Sequence, residues 1–129
     1  MKNATLLFCA VCIIAAGSCK KENQINKDQS LIGKWRVNAY YLSDGGPGYW
    51  TNAEENQYVE FYNNGTLGGN AFTGYLTFAI KDNVTLFMKK NNDTTKYNYS
   101  YRIKHDTLTM SPTGPIICIE GCAVRFIKE

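Results

Sequence analysis

Few of the residues from which catalytic and metal-binding sites are built occur in this chain. It has one histidine, His105, in 129 residues, and a zinc site draws on about three or four His, Cys or carboxylate ligands. His105 sits between Lys104 and Asp106 in a turn-like stretch, so a metal centre is not expected. Glu54 and Glu55 are adjacent in a polar segment and read as solvated charges, not as an acid and base pair on neighbouring strands. Gly45-Gly46-Pro47-Gly48 is glycine-rich but lacks the strand, helix and Lys context of a phosphate cradle. No nucleophile has a base at a telling distance. The expectation is therefore a protein that is not an enzyme and carries no cofactor. Charge is also sparse: 14 Lys and Arg stand against 11 Asp and Glu, a net +3, with the two signs interleaved. That balance gives no footprint for nucleic acid. The apolar run from Ala4 to Ala16 falls short of the about 20 residues that span a bilayer as a helix, and helical periodicity is nearly missing throughout.

What is present begins with a processing signal. Met1-Lys2-Asn3 precedes the uncharged apolar run, which reads as a signal peptide. Ala16, Gly17 and Ser18 then lead into Cys19, and this resembles the lipobox of bacterial lipoproteins. The resemblance implies that Cys19 is diacylated and becomes the new N-terminus: a thiol can carry a thioether-linked diacylglycerol, and small residues before it let the backbone enter the peptidase. An ordinary secretory signal with an incidental Cys19 is the alternative. Residues 1–18 are thus expected to be removed, taking Cys9, Cys12 and Lys2 with them, so that the basic count falls from 14 to 13 against 11 acids. Residues 19–30 are almost wholly polar and read as a flexible tether, too poor in apolar surface to offset ordering entropy. Lys20 stands where inner-membrane lipoproteins carry Asp, and Ser-Cys-Lys-Lys-Glu is similar to the start of Bacteroidetes lipoproteins. By that likeness the protein is lipid-anchored in the outer membrane, on its periplasmic face or at the cell surface.

Residues 31–129 suffice for one domain. Apolar and polar residues alternate along it between Gly, Asn and Asp turns, an all-β pattern. Lys34 to Leu42 gives a first strand with Trp35, Val37, Ala39 and Tyr41 on one face. Ser43 to Asn56 reads as a long loop. Tyr58 to Tyr62 follows, then the turn Asn63-Asn64-Gly65, whose glycine can take the positive φ of a tight hairpin, and a strand from Thr66. Phe72 to Ile80, Val84 to Met88 (with Val84, Leu86 and Met88 together), Lys96 to Ile103 and Thr107 to Met110 continue the series. Ile116 to Cys118 and Cys122 to Ile127 make a last hairpin. About eight strands with short connections favour a small antiparallel up-and-down barrel, an open sandwich being the alternative.

Leu31-x-Gly33-x-Trp35 resembles the opening of lipocalin-like (calycin) domains on bacterial lipoproteins. Val59-Glu60-Phe61, the turn Asn64-Gly65-Thr66-Leu67 and Leu108-Thr109-Met110 extend the likeness over most of the domain. It implies that a basic residue near the barrel's end, Arg125, lies over Trp35 in a cation–π contact worth about 1 kcal/mol. Two departures bear on a ligand chamber: the domain is shorter than a typical lipocalin, and no C-terminal helix follows the barrel. Trp35 itself is expected to plug one end of the barrel, because a large aromatic contributes most by burial.

Cys118 and Cys122 remain as a pair in an oxidising compartment and are expected to form a disulfide. Ile119-Glu120-Gly121 suits a short hairpin loop, and so small a ring should pin the loop more than stabilise the fold. Asp93-Thr94-Thr95 and Asp106-Thr107-Leu108 resemble acceptor sequences for Bacteroidetes O-glycosylation. Tyr97, Tyr99 and Tyr101 form one stripe, and Tyr49-Trp50 lies in the long loop, from where it could overhang a barrel mouth. Two functions are open: a monomeric barrel holding a small apolar or amphipathic ligand against these five aromatics, or a filled barrel acting as a structural, interaction or inhibitor module towards another envelope component. Interior volume discriminates them. A strand tyrosine stripe is more often core or cross-strand packing.

Overall fold

A computed structural model describes residues 30–119 and 121–129. The signal peptide, Cys19, all but Ser30 of the tether, and Glu120 lie outside the described residues. Those described form nine strands and no helix: β1 (Gly33–Leu42), β2 (Tyr49–Asn52), β3 (Tyr58–Phe61), β4 (Leu67–Gly69), β5 (Tyr75–Ile80), β6 (Thr85–Lys90), β7 (Tyr97–Lys104), β8 (Thr107–Gly114) and β9 (Val124–Lys128).

Every pairing is antiparallel, in the order β4-β3-β1-β9-β8-β7-β6-β5. The two ends of that order meet. Thr66 bridges Thr77, and the Phe78 N–H donates to the Gly65 carbonyl at 2.9 Å. Followed round the ring, β1 and β3 to β9 come in chain order, so the sheet is an up-and-down meander that nearly closes into an eight-stranded barrel. Closure satisfies edge groups that a flat sheet would expose, and it is the barrel, not the open sandwich, that forms. Gly65 makes the β3–β4 turn at φ 85°, with the Asn64 side-chain oxygen accepting from the Thr66 N–H at 3.1 Å.

Several sequence expectations change. Ser43 to Asn56 is not a loop throughout. Tyr49–Asn52 returns along the far half of β1, with Tyr41 opposite Trp50 and Leu42 opposite Tyr49, while the near half of β1 pairs with β3. Four residues are too few for alternation to register. The last hairpin does not form either. Ile116–Cys118 makes only the bridge between Ile117 and Thr113, because β9 is already flanked by β8 and β1 and has no edge left for it. Lastly, Val84 does not join Leu86 and Met88: it sits in the turn before β6, 61% exposed.

The core lies on the barrel axis. Leu31, Trp35, Val59, Phe61, Leu86, Met88, Leu108 and Phe126 are fully buried, with Val37, Met110 and Tyr101 beside them. Partway along β1 the register with β9 slips: Val37 faces Phe126, but Ala39 faces Arg125. Asn38 is the extra residue, and a bulge of one residue reverses the parity of the strand beyond it. Tyr40 therefore turns towards the core, whereas Ala39 and Tyr41 join the outer row of Arg125 and Trp50. The expected single face of Trp35, Val37, Ala39 and Tyr41 is split in two.

Candidate functional site

The tyrosine stripe of β7 points inward. Tyr97, Tyr99 and Tyr101 stand opposite Met88, Leu86 and Met110, and Tyr101 is only 4% exposed, its hydroxyl donating to the Asp82 carbonyl at 3.5 Å. Phe72, Tyr75, Tyr97, Tyr99 and Phe126 form a chain of ring contacts with centroids 5.3–6.3 Å apart, several of them edge-to-face, the arrangement that aromatic quadrupoles favour. Burial pushes the Tyr99 phenol well above its usual range, and its contact with the Tyr75 hydroxyl adds to this. Tyr97 donates to Asp93 at 2.8 Å, and Lys90 lies over the Tyr75 and Tyr97 rings at 5.2 and 4.8 Å. These groups satisfy one another and close one end of the core.

The other end is closed by Trp35, which is 0% exposed. Its indole N–H donates to the Leu31 carbonyl at 2.8 Å. The cation over its ring is Lys128, 5.0 Å from the centroid, which also donates to the Ser30 carbonyl at 3.0 Å. Arg125 is not there, which corrects the expectation from the lipocalin likeness. Lys128 pairs directly with Trp35 in the ladder, whereas Arg125 precedes the buried Phe126 and so points out of the barrel. Strand parity was the signal that could have separated the two. Gly33, at φ 124°, begins the strand that delivers Trp35.

Outside the wall lies a second assembly. The Arg125 guanidinium stacks on the Trp50 ring at 3.8 Å, and Tyr41 tilts against Trp50 at 5.3 Å. The loop closed by the Cys118–Cys122 disulfide, with Cα atoms 5.8 Å apart, presses on the same tyrosine: any side chain at Gly121 or Gly48 would collide with Tyr41. Trp50 remains 37% exposed. Tyr49 and Trp50 thus belong to a strand and not to an overhanging loop, and the structure does not bring Trp50 together with the β7 tyrosines, from which the barrel wall separates it.

From Arg125 a polar row runs across the outer face. Arg125 stands opposite Thr109, and Thr109 opposite Arg102; Lys104 pairs with Thr107 and Ser100 with Ser111. These residues line a concavity of about 710 Å³ whose rim includes His105 and Val84. The described ion pairs lie elsewhere, where Glu129 binds Lys34 at 2.8 Å and Arg36 at 3.5 Å. Asp82, next to the rim, accepts from the Val84 N–H at 2.9 Å, and that bond holds its carboxyl below the usual range. Arg102, Lys104 and the hydroxyls were not singled out from sequence, where scattered basic residues read as solvated surface; only strand pairing makes them neighbours. Set against protein-family models and curated proteins, the chain matches none.

Proposed function

We propose that this chain is an exported lipoprotein, held by an acylated Cys19 in the outer membrane, whose lipocalin-like barrel is solid and works through its outside as an interaction module of the cell envelope. The observation that carries this reading is the filled axis: Trp35, Phe61, Leu86, Met88, Leu108 and Phe126 are all fully buried against one another. A barrel of about eight strands is narrow enough for side chains to fill it. A filled barrel offers no apolar chamber for a small ligand, so recognition falls to the surface, where Trp50 and Arg125 stand. Lipidation rests on the small residues before Cys19 and on the polar stretch after it, long enough to hold the barrel clear of the lipid.

Native mass spectrometry of the full chain isolated from membranes tests the interior: the expected spectrum contains protein plus acyl anchor alone, and a retained small molecule would refute the solid barrel. Cys19→Ser tests the anchor. The variant should move from the membrane to the soluble fraction, and unchanged fractionation refutes lipidation.

A further inference from the structure

We infer that the outer concavity across β7, β8 and β9 is a binding groove for a linear acidic polysaccharide, with Arg102 and Arg125 taking carboxylates on alternate sugars; this rests on the reading of the barrel as a surface-acting module. Charge is the first argument. Arg102, Lys104 and Arg125 line the groove, no carboxylate does, and none of the three is in an ion pair among the described residues. Stacking on Trp50 occupies one face of the Arg125 guanidinium and fixes its plane. It leaves the in-plane N–H groups free to grip a carboxylate through two bonds.

Spacing is the second argument. Arg102 and Arg125 lie in one row two strands apart, with Thr109 between them, which sets their backbones about 10 Å apart. That matches the separation of carboxylates carried on every second sugar of a linear chain. On β8, Thr109 stands between the two arginines with Thr107 and Ser111 to either side of it, and their hydroxyls can both donate and accept, as the hydroxyls of the uncharged sugar between would require. Trp50, partly exposed at the Arg125 end, offers an aromatic edge for a further ring.

Other occupants fit less well. Acyl chains laid along the groove would meet Arg102, Lys104, Arg125 and the row of hydroxyls. β9 is paired along both edges, as are residues 107–110 of β8 and 97–101 of β7, which leaves a peptide little edge to join there as an extra strand.

The test uses the full chain in detergent, titrated calorimetrically with hyaluronan oligosaccharides, which carry a carboxylate on every second sugar. Neutral dextran and phosphatidylglycerol vesicles are the comparison arms. Binding to hyaluronan and not to dextran is expected. Arg102→Gln and Arg125→Gln should each weaken it about tenfold or more, the scale of a lost charge-assisted contact, and Lys96→Gln, whose lysine lies over Phe87 on another part of the wall, should leave it unchanged. Circular dichroism establishes that each variant is folded. Three results overturn the inference: no hyaluronan binding, equal loss in Lys96→Gln, or vesicle binding equally sensitive to Arg102 and Arg125, which would assign the groove to lipid headgroups. None of these touches the solid-barrel reading, which stands or falls on the mass spectrum and the fractionation.

Discussion

Replacing Trp35 with Phe tests whether the closed end of the barrel holds the fold together. Two losses combine. Phe has no N–H to give the Leu31 carbonyl, which belongs to a fully buried residue, and leaving a buried acceptor unpaired costs about 1–3 kcal/mol. Phe also leaves part of the indole volume empty, a fraction of the about 3–5 kcal/mol of complete truncation to Ala. The expected total is about 2–4 kcal/mol. Trp50→Phe is the matched comparison: Trp50 is 37% exposed and mainly contacts Arg125 and Tyr41, so its loss should cost about 1 kcal/mol or less. The chain has two tryptophans, and each variant therefore leaves one as a reporter. Urea unfolding followed by far-ultraviolet circular dichroism gives the stabilities. With Trp50→Phe the remaining Trp35 should emit at short wavelength and resist acrylamide; with Trp35→Phe the remaining Trp50 should be readily quenched. If Trp35→Phe costs no more than Trp50→Phe, Trp35 is not the plug and the reasoning fails.

Gly69 in β4 has φ 96°, and a Cβ there would overlap the Tyr58 carbonyl, whereas Gly74, at φ 86°, has open space around it. Gly74→Ala should show backbone strain alone, on the order of 1 kcal/mol, and Gly69→Ala distinctly more; equal losses in thermal unfolding would mean that the β3–β4 contact yields freely. Burial raises the Tyr99 phenol above its ordinary value of 10.0, so the fold favours its neutral form. That contribution is present in full below the unfolded value and is lost as pH climbs from there through the raised folded value, since the unfolded chain ionises first. Urea unfolding at a series of pH values from about 8 to about 11 should therefore show stability declining above about 10, with a shallower decline in Tyr99→Phe; unchanged slope would show that Tyr99 is not held neutral.

Period-two hydrophobicity made most of the barrel legible. β1, β7 and β8 alternate over enough residues for the pattern to stand above chance, and short turns such as Asn63-Asn64-Gly65 dictated hairpin order. What stayed hidden shares one cause, which is that pairing partners are not written in any single segment. β2 is four residues long, and its existence depends on the vacant half of β1. The hairpin expected around Cys118 fails because β1, from the other end of the chain, takes the edge of β9. Arg125 could not be assigned to Trp50 before β2 was known to be a strand. Arg102 and Lys104 looked like ordinary outward positions of an alternating strand, which they are; their significance comes from Thr109, Ser111 and Arg125 on the adjoining strands.

The bulge at Asn38 joins these observations. Before it, β1 delivers Trp35 and Val37 to the axis; after it, the same alternation delivers Ala39 and Tyr41 to the outside, where Trp50 and Arg125 meet them. Without the extra residue, Tyr41 would point into a mouth already occupied by Phe72, Tyr75 and Tyr99, and nothing on the outer wall would support Trp50. Ala39 fits this account: it is 3% exposed yet stands apart from the central core cluster, as a small residue would under a Trp–Arg stack. One strand thus builds both a solid interior and an aromatic-cationic exterior, and the sequence achieves this with one polar residue whose carbonyl accepts the Ala53 N–H at 2.9 Å. The surface that a filled barrel must rely on is therefore held to the core through the strand that begins with its plug.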